Sequence, residues 1–229
     1  MTYLAPRYIQ FSHMKVMLSF LAGLFLVSSC LSQTSDPAAK KILDQASAKI
    51  KSYKTIQAQF SLQILDAQGA SQGTKKGTVS MKGNKYIVII TDKEIYCDGN
   101  TVSTFDKSAN EVTITKVDPA SNTITPQKLF TNFYDKDFLY KVNGEQKTGT
   151  KTLVEIEMTP SDKTLNFHKV YLYVDKKSHL VSPIKILDKS GNRYIYTVVS
   201  LKGNMSLSDA VFTFDKSKHP GVEEVNLTQ

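Results

Sequence analysis

Cysteine is almost absent from these 229 residues, which contain only Cys30 and Cys97. Two thiols cannot build the multi-bridge framework that staples small secreted domains. With neither C-x-x-C nor H-x-x-x-H spacing, the signature of structural zinc is missing too. The four histidines, His13, His168, His179 and His219, lie far apart along the chain. There is no tryptophan, no internal repeat and no low-complexity stretch. No stripe of Arg and Lys interleaves with aromatics, so nucleic acid is not an expected partner. The apolar run VMLSFLAGLFLV that follows Met14-Lys15 is only twelve residues long, against roughly twenty for a membrane-spanning helix.

That run reads instead as an export signal, because it sits behind a lysine and ends in the small residues SSCLS. Met14 opens a better-formed signal than Met1 does, so residues 1–13 read as an extension from an upstream start. Cleavage near Ser32 leaves Gln33 as the new N-terminus and a periplasmic protein. Val27-Ser28-Ser29-Cys30 also fits a lipobox, in which Cys30 carries lipid and anchors the chain. The expected organisation is a signal segment over 1–32 and one domain over 33–229. Removing residues 1–32 takes away Arg7 and Lys15 and no acid, which lowers the formal charge from +8 to +6. This dispersed basic excess suits an anionic membrane or an acidic partner.

The composition, 41% hydrophobic and 22% charged, is that of a globular chain with one substantial core. Asp36 is a suitable N-cap and Pro37 suits the first helical position. Ala39, Ile42, Leu43, Ala46, Ile50 and Tyr53 then recur at helical spacing, which predicts an amphipathic helix of about sixteen residues. From Thr55 the period drops to two. In TIQAQFSLQIL, Ile56, Ala58, Phe60, Leu62 and Ile64 share one face and polar residues the other, as in an antiparallel sheet with a wet side. GTVSMK, KYIVII, VTIT, LVEIEMT, HKVYLYVD, VSPIKIL, RYIYTVVSL and VFTF continue the pattern. Gly83-Asn84, Asp98-Gly99, Asn143-Gly144, Ser190-Gly191-Asn192 and Gly203-Asn204 supply turn chemistry between strands. Ten or eleven strands are expected. PQKLFTNFYDKDFLY breaks the pattern and reads as short helical turns crowded with Leu129, Phe130, Phe133 and Phe138.

The pair Cys97-Asp98 raises the question of a thiol nucleophile. Asp98-Gly99 makes a tight turn, Ile95 and Cys97 share a face of the incoming strand, and no histidine or helix N-terminus is nearby in sequence. Cys97 therefore reads as a small hydrophobe rather than an activated thiolate. Asp98, Asp106, Glu155 and Glu157 leave open a paired-carboxylate enzyme. Glu155 and Glu157 alternate with Val154, Ile156 and Met158, so they are expected to face solvent.

The order of these pieces resembles the outer-membrane lipoprotein carrier family, LolA: a signal, one amphipathic helix, TIQAQFSLQIL, GTVSMKGNKY, DGNTVSTFD, a mid-chain lid, EIEMTP and VFTFDKSKHPGVEEV. The resemblance implies a mostly β fold, a half-open antiparallel β-barrel of ten or eleven strands with an N-terminal amphipathic helix and a short helical lid. It implies a monomeric chaperone without cofactor, metal or catalytic residues. Such a chaperone takes acylated lipoproteins from an inner-membrane lipoprotein-releasing ABC transporter and delivers them to an outer-membrane acceptor or the membrane itself. Aligned with strand alternation, it places the lipid-binding residues at Phe60, Leu62, Val79, Met81, Tyr86, Val88, Ile90, Val102 with Thr104, Ile156, Met158, Val170, Leu172 with Val174, Phe212 and Phe214. Leu129, Phe130 and Phe133 form the lid. The strand 167–174 leaves its inward face open, because Phe167, Tyr171 and Tyr173 occupy the alternate positions. Two departures stand out. Gly83 aligns with an arginine that in the family holds the lid shut, with Lys82 as its substitute here, and Ser103 stands where the family has tryptophan. A Cys30-lipidated, membrane-tethered acceptor or lipid-binding sensor of the same fold is the alternative.

Overall fold

The structure, a computed structural model, describes residues 35–118, 125 and 134–228. Its first element is α1, Pro37–Lys51, which starts as expected: the Asp36 side chain accepts the Ala38 N–H and proline takes the first helical position. Asp36 also does something the helix rules do not require. Its backbone N–H donates to the Tyr140 carbonyl at 2.9 Å, and its second carboxylate oxygen accepts the Val142 N–H at 3.1 Å. The helix start is thereby fastened to a strand more than a hundred residues away.

Twelve strands follow, one or two more than the sequence suggests. They are β1 Thr55–Leu65, β2 Ser71–Lys82, β3 Lys85–Ile90, β4 Lys93–Cys97, β5 Thr101–Asp106, β6 Glu111–Lys116, β7 Phe138–Thr148, β8 Lys151–Pro160, β9 Phe167–Asp175, β10 Val181–Asp188, β11 Arg193–Gly203 and β12 Glu223–Asn226. They form one sheet in the order β12-β6-β5-β4-β3-β2-β1-β11-β10-β9-β8-β7. Because β12 and β7 lie at opposite margins and do not pair, the sheet is open rather than closed. Every neighbouring pair is antiparallel except β12, which runs parallel to β6. A helical turn, α2 Tyr134–Asp137, precedes β7 and is tied to α1 by Tyr134 Oη on Asp44 at 2.8 Å and Lys40 on Asp135 at 3.1 Å.

Three local expectations change. Asn143-Gly144 is not a hairpin turn but a register irregularity inside β7, and the β7–β8 turn falls at Gly149, whose φ is +58°. VFTF is not a strand: Asp209–Phe212 form a 3-10 turn and the chain continues as bends. Gly203-Asn204 ends β11 without starting a hairpin, and the Asn204 side chain accepts the Lys54 N–H instead.

α1 lies on one face of the sheet, the inner face. Ala39, Leu43 and Ala46 join Phe138, Tyr140, Val154, Ile156, Met158, Phe167, Val170, Leu172 and Val174 in the main core. Farther along the helix, Ile50 packs on Ile56, Ala58, Val79, Met81, Tyr86 and Cys97. The alternation of each strand puts these residues inside. In β9 it settles the open choice: Val170, Leu172 and Val174 point in, Tyr171 and Tyr173 point out, and an irregularity near Asp188 lets Phe167 turn in as well.

Candidate functional site

Cross-strand registers can be followed over the inner face. Ile56, Met81, Tyr86, Cys97 and Val102 form one row, and Ala58, Val79, Val88, Ile95 and Thr104 the next. Phe60 stands opposite Val198 on one side and Gly77 on the other, with Ile90 beyond, and Leu62 is opposite Tyr196. On the far side of β11 the rows run on through Ile184, Leu172 and Ile156. Fourteen of the nineteen expected site residues therefore share one face: Phe60, Leu62, Val79, Met81, Tyr86, Val88, Ile90, Val102, Thr104, Ile156, Met158, Val170, Leu172 and Val174. Leu129, Phe130 and Phe133, the expected lid, lie outside the described residues.

Burial separates these residues: Leu62, Val79, Met81 and Tyr86 are buried at 5–9% exposure, and the others fall toward two extremes. Ile156 and Met158 are 0% exposed, Val170 1% and Leu172 2%, because the N-terminal half of α1 is seated directly on them. They are core that the protein fills itself. Phe60, Val88, Ile90 and Val102 are only partly covered, as are Ile95, Val198, Leu201, Tyr194 and Tyr196 on the same face. The floor here is low. A Cβ at Gly77 would lie 2.6 Å from the Phe60 ring tip and 2.7 Å from the Ile89 carbonyl oxygen, so the ring lies across β2 in the space a side chain would need. Phe60 and Tyr196 rings stand 6.2 Å apart. The tyrosine pair of β11 is absent from the residues expected from sequence, although Tyr194 and Tyr196 share a face by period two in RYIYTVVSL.

Phe212 and Phe214 do not belong to this face. After Asn204 the chain passes onto the outer side, where Lys82 and Lys85 hold Asp209 at 2.8 and 2.9 Å and pull its carboxyl down to about 2. Phe212, 0% exposed, is in that turn. Phe214 meets the outward rings of Tyr96 at 5.7 Å and Phe105 at 5.4 Å, and stacks on His219 at 4.6 Å. Phe105 and Phe214 with Val112, Ile114 and Val222 make a second, outer core. Lys82 is likewise no inner-face latch, since its ammonium is occupied by Asp209 and the Leu207 carbonyl. Ser103, opposite Tyr96 and Ile114, also faces outward.

The reactive candidates are structural. Cys97 is 2% exposed, beside Tyr86, with its Sγ 3.8 Å from the Asn84 carbonyl. Burial pushes the thiol above its ordinary value, and burial together with Cys97 pushes Tyr86 up to about 12. A thiol held protonated is a poor nucleophile. Asp98 accepts the Asn100 and Thr101 N–H groups, and Asp106 accepts those of Ser108 and Ala109, so both fix turns. Glu155 and Glu157 face outward and share the Asn143 amide, with Lys169 and Lys141 on Glu157. A depression of about 540 Å³ runs along the solvent side of α1, lined by Pro37, Lys40, Lys41, Asp44, Gln45 and Ala48. Its charges make it unsuited to an alkyl chain.

Comparison with known proteins gives a family and a likeness of fold. The family model described as outer membrane lipoprotein carrier protein LolA matches residues 51–215. The outer-membrane lipoprotein carrier protein of Cupriavidus necator is 28% identical over 190 residues, covering 80% of this chain and 87% of that protein. That of Pseudomonas putida W619 is 26% identical over 214 residues, covering 90% and 97%. The crystal structure of an uncharacterized conserved protein from Thermus thermophilus superposes with a TM-score of 0.57 at 14% identity, covering 82% of this chain and 99% of that one, a likeness of fold. The match of the family model over most of the chain, on a sheet of this architecture, places the protein in the outer-membrane lipoprotein carrier (LolA) family, a family of carriers and not of enzymes.

Proposed function

We propose that the chain is an exported periplasmic carrier that holds the acyl chains of lipoproteins on the partly covered half of its inner face. It moves them from an inner-membrane lipoprotein-releasing ABC transporter to an outer-membrane acceptor or the membrane itself. The observation that carries this reading is the mismatch between helix and sheet: α1 seals the face over β7–β10, while Phe60, Val88, Ile90, Ile95, Val102 and Tyr196 remain partly open beyond it. An apolar surface of this kind, on the concave side of an open sheet, suits an alkyl ligand.

Energetics favour a shallow site. Each buried methylene contributes about 0.8 kcal/mol, so enclosing several long chains fully would exceed the practical affinity ceiling of roughly 20 kcal/mol. A carrier must also release its cargo. A face that buries each chain only in part keeps the exchange reversible, because binding is offset by the ordering and desolvation it requires. The segment containing Leu129, Phe130 and Phe133 is proposed as the cover.

The test is to isolate the protein from periplasm without detergent and identify what co-elutes by mass spectrometry. Acylated N-terminal peptides are the expected result, and a ligand-free protein that also fails to take up a fluorescent acyl probe would end the proposal. The mass of the mature N-terminus decides between cleavage near Ser32 and a lipidated Cys30, the second making the chain a tethered acceptor or sensor.

A further inference from the structure

The strands of the sheet end at two rims, and its charges are not shared evenly between them. One rim carries the C-terminal end of α1, the start of β1, the ends of β6, β7, β9 and β11 and the start of β8. Lys54, Lys116, Lys147, Lys151, Lys177 and Lys202 are all exposed there. Among the described residues, none of these six ammonium groups is in a salt bridge. The acids of this rim are few. Asp98 and Asp175 are turned into their own turns by backbone N–H groups, Glu145 is taken up by Lys176 at 2.8 Å, Asp209 is held by Lys82 and Lys85 of the β2–β3 turn, and Asp118 is the fifth. The opposite rim sets Asp66, Asp92, Asp106, Glu111, Asp162 and Asp188 against Lys93, Lys107, Lys163, Lys189 and Arg193, so its charges nearly cancel. The positive excess of the chain is thus concentrated at one end of the sheet.

Apolar side chains lie exposed at the same end. Met205, whose carbonyl accepts from Thr55 at the start of β1, is 39% exposed. Leu227, bonded to the Ile114 carbonyl near the end of β6, is 61% exposed. Lysines interspersed with protruding apolar residues suit the interface of a bilayer bearing phosphate headgroups: the lysines meet phosphates and the apolar tips enter the headgroup layer. An acidic protein face would satisfy the lysines but give Leu227 and Met205 no particular place.

We infer that this basic rim is a docking surface for an anionic lipid bilayer, which would set one end of the inner face against the membrane. The inference rests on the charge distribution and stands apart from the acyl-binding reading.

The experiment is flotation of the mature protein with phosphatidylcholine vesicles, with and without phosphatidylglycerol, at low and high salt. Binding is expected only with the anionic lipid and is lost as salt rises. Lys54→Glu with Lys202→Glu weakens it about tenfold or more, and Met205→Ser with Leu227→Ser weakens it further. A control pair away from the rim, Lys76→Glu with Lys136→Glu, changes net charge identically and leaves binding within about twofold. Uptake of a fluorescent acyl probe stays normal in the rim variants, while Phe60→Glu shows the reverse pattern. This separates failure of docking from failure of acyl binding. Indifference to phosphatidylglycerol, or equal losses in rim and control pairs, overturns the inference. So does normal vesicle binding by rim variants that have lost cross-linking to an acidic periplasmic protein.

Discussion

Phe60 and Cys97 sit on the same inner face, yet they answer to different demands. Phe60 is partly open and its ring tip reaches over Gly77, so Phe60→Glu puts a charge where an alkyl chain is proposed to rest. Acyl-probe binding is expected to fall at least tenfold, with a melting temperature near that of the parent, and unchanged binding would remove Phe60 from the site. Cys97→Ala keeps probe binding and costs on the order of 1 kcal/mol in denaturant unfolding. Loss of transport by that variant with its fold intact would revive a chemical role for the thiol. Ile156, fully buried beneath α1, is the contrasting case: Ile156→Ala costs about 2–5 kcal/mol and leaves probe affinity unaltered. Gly77→Ala is a change of a single methyl, but the new atom meets the Phe60 ring and the Ile89 carbonyl oxygen at under 3 Å. It is expected to lower stability by roughly 1–3 kcal/mol, and acyl-probe uptake should drop as the ring is displaced.

At the scale of the element, α1 depends on Asp36. The Val142 and Ala38 N–H groups hold its carboxyl below the ordinary carboxylate range. A depressed folded value means that this contribution is complete above the unfolded pKa and is lost as pH falls through the folded one. Acidification below the usual carboxylate range is therefore expected to loosen the start of α1 and the margin of β7 together, read as faster amide exchange at Val142. Asp36→Ala does the same at neutral pH, and exchange indistinguishable from the parent would show that the clamp is dispensable. This element shows what the sequence makes legible. The cap, the proline and the apolar spacing of α1 are local facts, and so is the alternation of β1, whose observed limits match TIQAQFSLQIL. The second bond of Asp36 is not local, and nothing in residues 35–55 announces it. β7 is hard to read because Asn143-Gly144 has turn chemistry that pairing with β8 overrides. The first half of β2, SQGTKK, has no apolar alternation to reveal it. VFTF has strand periodicity, but Phe212 is buried in a 3-10 turn and Phe214 reaches an outer core that only the folded sheet creates. Period two assigns the inward face of most site residues. It cannot say which part of that face α1 seals.

For the whole molecule, the outer core makes the segment that follows β11 part of the fold. Phe105 and Val112 are packed against Phe214 and Val222, which the chain beyond Asn204 supplies. Ending the chain at Asn204 should preserve the first eleven strands but lower the melting temperature and raise binding of a hydrophobic dye. A truncated protein that melts like the parent would deny the segment a structural part. Open margins remain at β12 and β7; β12 is short and acidic, and Asp36 occupies two backbone groups of β7. Both features oppose edge-to-edge aggregation.

The position of β1 between β2 and β11 bears on the order in which the protein can be made. A chain that emerges N-terminus first during its synthesis delivers β2 at once, whereas β11 arrives well over a hundred residues later. Until then the middle of the barrel has a bare strand, and the sheet consists of two unjoined halves. A nascent chain ending before Arg193 is expected to be digested rapidly by protease, and one extending past Gly203 to resist it; equal resistance would mean that the halves settle independently.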